Sequence, residues 1–117
     1  MDIPIPIANF FRMKNEHDDI GLGSLFTEAA TVVDGGEGKV IQGVDAIKRW
    51  IEKAISGLGL HTHISDCKER GGEWIVDTVM TGDFKASPAC FEYFITLSDD
   101  KISALRVEFR GSFKTGF

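Results

Sequence analysis

The stretch FTEAATVVDGGEGKVIQGVDAIKRWI, residues Phe26 to Ile51, decides the architecture. An apolar, β-type run from Ala30 to Val33 ends in an acid, Asp34. Asp34-Gly35-Gly36 is a turn signal, and residues Lys39 to Gln42 return as a short partner strand. Gly43 then precedes VDAIKRWIEKAISGLG, in which Ile47, Trp50, Ile51, Ala54, Ile55 and Leu58 recur at three and four residues. That stripe predicts one buried face of a helix. Asp45 falls in its first turn, where the helix dipole favours an acid, and Gly57 and Gly59 supply its stop. Strand, turn, strand and helix in this order place one carboxylate at the wall of a cavity between sheet and helix. An apolar wall disfavours the charged form of a carboxyl group, which suits it to carry a proton.

Upstream, Pro4 and Pro6 fit an extended lead-in and a helix start near Pro6 or Ile7. Apolar residues at Ile7, Phe10, Phe11 and Met13 have helical spacing, with polar residues opposite them up to about His17. Asp18 or Asp19 is placed to cap a second short helix through Ile20, Leu22 and Leu25–Phe26, weakened by Gly21 and Gly23. Downstream, the chain is β in character. Strands are expected over 61–68, 73–84, 89–97 and 102–109, with turns at Glu69-Arg70-Gly71-Gly72 and Ser98-Asp99-Asp100-Lys101. The tail from Arg110 to Phe117 is polar with two phenylalanines, and either frays or covers another surface. Helices first, one longer helix after a β pair, then successive strands argue α+β, with helices on one face of a single curved sheet. Such a sheet around a helix leaves a hollow suited to small molecules.

A chain of 117 residues is one domain by length. Its net charge of −5 and the lack of any Lys/Arg stripe argue against nucleic acid as a partner. Cys67 and Cys90 lack metal-ligand spacing and read as free thiols of a reducing compartment. MDIPIPIANFF carries an acid and two prolines before any apolar run, unlike a secretory signal, and no segment reaches membrane-spanning length. The expectation is a soluble cytoplasmic protein with no membrane partner.

Several residues carry two readings. Asp34 is either a hairpin-turn acid or the cavity's proton carrier. In CFEYFITL, period-two alternation puts Cys90, Glu92, Phe94 and Thr96 on one face, and Phe91, Tyr93, Ile95 and Leu97 on the other. The second face is a core or a subunit contact. Glu92 is either a cavity acid or the partner of a cross-sheet cation such as Arg106. His17 follows Phe10 and Met13 on a helix side, so it either stands beside Asp34 or interacts with the helix terminus. His61 and His63 share a strand face, but a zinc site wants a third ligand, so metal is rejected and His63 is assigned to the cavity wall. Phe10, Ile47 and Trp50 read as core that can also line a pocket. Arg106, Glu108 and Arg110 alternate on the last strand, as on a charged outer face.

The pieces NEHDDI, LFTEAATVVD, GVDAIKRW and DDKISALRVEF give the chain, from Ile7 to Phe109, a resemblance to the nuclear transport factor 2-like superfamily. That is the α+β, cystatin-like cone of ketosteroid isomerase and the SnoaL-like polyketide cyclases: a curved, mixed or antiparallel sheet wrapped around a long helix with N-terminal helices. The resemblance implies that Asp34 stands where ketosteroid isomerase keeps its general base, and Glu92 where it keeps a protonated oxyanion-hole acid. Phe10 stands where that enzyme keeps a tyrosine, and a phenyl ring has no O–H to give. The implied function is a SnoaL-like isomerase or cyclase moving a proton on a small apolar carbonyl compound, with no cofactor. Its catalytic residues would be Asp34, Glu92 and His17, and its ligand wall Phe10, Met13, Trp50, His63 and Phe94. A homodimer through the sheet's outer face is implied as well. The alternatives are a non-catalytic ligand-binding or dimerisation module, and a cavity filled by Phe10, Met13, Trp50, Met80 and Phe94.

Overall fold

The computed structural model describes residues 2–54 and 59–113, with Ala54 described by its backbone alone. The expected roles of Ile55, Gly57, Leu58 and the last four residues lie outside the described residues. The chain runs α1 (Ile5–Asn15), α2 (Asp19–Ser24), β1 (Phe26–Asp34), β2 (Lys39–Gln42), α3 (Val44–Ala54), β3 (His61–Arg70), β4 (Glu73–Thr81), β5 (Ala89–Ser98) and β6 (Lys101–Ser112). Six strands form one sheet in the order β2-β1-β6-β5-β4-β3. Strand β1 pairs with β6 in parallel, and every other pairing is antiparallel. The class is therefore α+β with a mixed sheet, as the element order indicates.

Helix α1 starts after Pro4 and buries Ile7, Phe10, Phe11 and Lys14, residues spaced three and four apart. The face expected to end in Met13 thus continues through a lysine. Asp18 Oδ1 accepts the Gly21 N–H at 2.9 Å and caps α2, which stops at Ser24 so that Phe26 opens β1 rather than ending a helix. At the start of α3, Gly43 has φ +87°, a backbone setting that glycine adopts at no steric cost. Its N–H donates to Ala30 O at 2.8 Å while its carbonyl accepts from Ile47 N at 3.0 Å, tying the helix start to β1. Helix α3 packs on β1 and β2, and α1 on β3. One core cluster joins Phe10 and Phe11 of α1, Ile47 and Ile51 of α3, and Val32, Val76, Tyr93 and Leu105 of the sheet.

The strand face holding Tyr93 and Ile95 is the core face, and both are buried. Strand β4 stops at Thr81 instead of Phe84, because Gly82 N turns away to bond Ser87 Oγ at 3.1 Å. Strand β6 runs on to Ser112, pairing it with Ala89, so this part of the expected tail is strand.

Candidate functional site

Strand β1 ends with Asp34 at the lip of a cavity of about 120 Å³. Lys14, Asp34, Trp50, Leu60, Met80, Phe91, Tyr93 and Val107 line it. They converge because α1, α3 and the inner faces of β1, β4, β5 and β6 meet there. Trp50, on the inner side of α3, donates its Nε1–H to Asp34 Oδ2 at 3.0 Å. Among the described residues Oδ1 has no hydrogen-bond partner.

Tyr93 comes from the core face of β5 and is 3 % exposed. Its ring meets Phe11 edge-on at 5.0 Å and Phe10 at 6.1 Å, which fixes the phenol direction. Burial, and then the charge of Asp34, push its hydroxyl well above the usual tyrosine range. The group is thereby held as a neutral O–H donor at any ordinary pH. Among the described residues that hydroxyl has no hydrogen-bond partner.

Lys14 lies on the buried side of α1 and is 1 % exposed. Its Nζ donates to Thr62 Oγ1 at 2.6 Å, and among the described residues no carboxylate lies within ion-pair distance. Burial lowers its pKa from 10.5 to about 8. Next to it, Asn15 clamps α1 onto β3, accepting from Thr62 N at 2.7 Å and donating to Thr62 O at 2.8 Å.

The structure sorts the residues expected from sequence into three groups. Asp34 and Trp50 line the cavity together. Phe10 is fully buried behind it, and Met13 is half-buried against the core cluster, so these two support the wall without forming it. Four expected positions are corrected. Glu92 lies on the outer sheet face, where Arg110 pairs with its Oε1 at 2.8 Å, because strand parity opposes it to Tyr93. There it also adds to the burial that raises the Asp77 carboxyl above its usual range. Phe94 shares that outer face, under the Arg106 guanidinium at 3.9 Å. His17 sits past the end of α1 with φ +58°, exposed, so its side chain leaves the line of Phe10 and Met13. His63 is exposed on the edge strand β3, edge-on to the His61 ring at 4.5 Å, because Thr62 takes the inward position between them. Among the described residues no group of three or more His, Cys, Asp or Glu side chains could hold a metal ion.

Sequence reasoning passed over Lys14 and Tyr93. Lys14 stands seven residues after Ile7 and four after Phe10, on the apolar stripe, and Tyr93 carries the one polar tip on an otherwise apolar strand face. A void of about 150 Å³ holds benzene, so the present volume of about 120 Å³ is on the scale of a ligand of about six heavy atoms.

The folded chain is similar to several solved structures. A candidate polyketide cyclase from Sinorhizobium meliloti is 28 % identical, with a TM-score of 0.83 over 92 % of this chain and 97 % of that one. A protein of ketosteroid isomerase-like fold from Catenulispora acidiphila, solved with trimethylamine, is 18 % identical, with a TM-score of 0.80 over 92 % and 86 %. A cystatin-fold protein from Novosphingobium aromaticivorans is 17 % identical, with a TM-score of 0.74 over 88 % and 94 %. No protein-family model matches the chain, and no curated protein does. Among the described residues no helix is long and apolar enough to cross a membrane.

Proposed function

We propose, for a chain that belongs to the nuclear transport factor 2-like, SnoaL-like superfamily, that the cavity beside Asp34 is an acid–base site for a small carbonyl compound. The observation that carries this reading is one apolar cavity lined by both a tethered carboxylate, Asp34, and a buried phenol, Tyr93, whose hydroxyl has no partner among the described residues. Asp34 takes a proton from the carbon next to the carbonyl, with Trp50 holding the other carboxylate oxygen in place. Tyr93 donates to the oxygen on which enolate charge develops. The phenolic donor that Phe10 cannot supply thus comes from β5, packed directly against Phe10. The volume favours a substrate of about six heavy atoms over a fused-ring one.

The test is proton exchange. Cyclopentanone in D₂O, followed by NMR, should lose its α protons faster with the protein than in buffer. Asp34→Asn should lower that acceleration about 10²–10⁴-fold. An unaccelerated rate in the presence of native protein defeats the reading.

A non-catalytic binding role is the second reading, favoured by the aromatic walls of Trp50, Phe91 and Tyr93. The Catenulispora acidiphila neighbour was solved with a small amine, and such walls attract small organic cations. Saturable binding of trimethylammonium without any exchange activity would select it. For assembly, the reading is a homodimer through the outer sheet face, which carries Glu92, Phe94, Arg106 and Arg110. Sedimentation equilibrium at micromolar concentration checks it, and a monomer mass rejects it.

A further inference from the structure

We propose that Lys14 is a nucleophilic amine that forms an imine with the carbonyl carbon of a small aldehyde or ketone in this cavity, an inference that rests on reading the cavity as a carbonyl site. Four observations carry it. Lys14 is the one charged residue type buried among the described residues, at 1 % exposure. Lys14 lines the cavity together with Asp34 and Tyr93. Its hydrogen-bond partner is a neutral hydroxyl, Thr62 Oγ1, and no carboxylate is within ion-pair distance among the described residues. Finally, the two Asn15 bonds to the Thr62 backbone lock the helix carrying the amine onto β3. A methionine would fill the same space without the cost of a buried cation, so packing does not account for the amine.

The chemistry balances without any co-reactant. The amine lone pair forms the C–N bond as the carbonyl π pair moves onto oxygen. The nitrogen gives up one proton and the oxygen gains one, yielding a neutral carbinolamine. The second nitrogen proton then joins the departing hydroxyl, which leaves as water, and the nitrogen lone pair closes the C=N bond. Asp34 Oδ1 and the Tyr93 hydroxyl are the groups in the cavity that relay these protons. The imine makes the neighbouring C–H more acidic, so it serves the same proton transfer proposed for Asp34. Burial, which lowers the Lys14 pKa to about 8, leaves about a quarter of the amine neutral at pH 7.5. About one in a thousand exposed lysines is neutral at that pH.

The experiment is reductive trapping on the unaltered protein. It is incubated with cyclopentanone and cyanoborohydride at pH 7.5, and the adduct is mapped by peptide mass spectrometry. The expected result is a cyclopentyl group on Lys14, acquired on the order of 100-fold faster than on the exposed Lys39 or Lys48. Thr62→Val, which keeps the amine, should still be trapped at Lys14, and Lys14→Arg should lose the fast adduct. Labelling of Lys14 no faster than Lys39 overturns the proposal. Binding is followed in parallel through the Trp50 indole N–H resonance. Cyclopentanone that binds without trapping overturns the lysine role alone, and cyclopentanone that neither binds nor is trapped overturns the carbonyl reading as well.

Discussion

The substitution Lys14→Met should stabilise the protein at neutral pH, by an amount that shrinks as the pH rises. The folded state lowers the amine's pKa from 10.5 to about 8 through burial. At about 1.36 kcal/mol per tenfold change in proton affinity, that corresponds to about 3 kcal/mol held against folding at pH 7. The sign follows from proton counting. Between pH 8 and 10.5 the unfolded chain binds the Lys14 proton more tightly than the folded one, so stability rises with pH across that window. Below it the penalty is nearly constant, and above it the penalty is gone. Lys14→Met removes the penalty but also leaves Thr62 Oγ1 without its donor, at a pH-independent cost of roughly 1 kcal/mol. The variant should therefore be about 2 kcal/mol more stable at pH 7, and its lead should fall by about 1.3 kcal/mol by pH 9. Cys67 and Tyr93, whose pKa values are raised, enter both chains alike and cancel in the difference. Urea unfolding of both proteins at pH 7, 8 and 9 reads the gap directly. Parallel curves, or a lead that widens with pH, would refute the assignment of Lys14 as a poorly solvated amine.

Three further outcomes are expected. Tyr93→Phe should lower the acceleration of cyclopentanone exchange about 10²–10³-fold. Its urea stability should stay within about 1 kcal/mol, since the hydroxyl has no protein partner among the described residues. Asn15→Ala removes two bonds to the Thr62 backbone and should cost about 1–3 kcal/mol in urea unfolding. Gly43→Ala forces a side chain into φ +87° where β2 hands over to α3, and should cost about 1–2 kcal/mol in the same assay.

The architecture was legible because its signals are local and repeated. Ile47, Trp50 and Ile51 mark α3, and Val33-Asp34 followed by two glycines marks the end of β1. Those same local signals led to Asp34 and Trp50, which do share the cavity. The other site residues depended on facts that periodicity does not contain. Alternation in β5 separates Glu92 and Phe94 from Tyr93, yet it does not say which set faces inward, and the inner set is Tyr93's. His63 failed for the same reason, since parity in β3 turns Thr62 inward. His17 depended on a helix that stops at Asn15, two residues short of it. Lys14 was hidden by its residue type: lysine is almost never fully buried unless paired, so an apolar stripe is read as ending before it. In this fold the stripe continues through it.

The central claim is that the cavity between Asp34, Trp50 and Tyr93 accepts a small carbonyl compound. The indole N–H of Trp50 is bonded to Asp34 at that site, while Trp74 lies elsewhere, half-buried on β4. Titrating ¹⁵N-labelled protein with cyclopentanone should shift the Trp50 indole resonance along a saturating curve and leave that of Trp74 in place. Two indole signals that stay fixed, or that drift together in proportion to added ketone, would contradict the account.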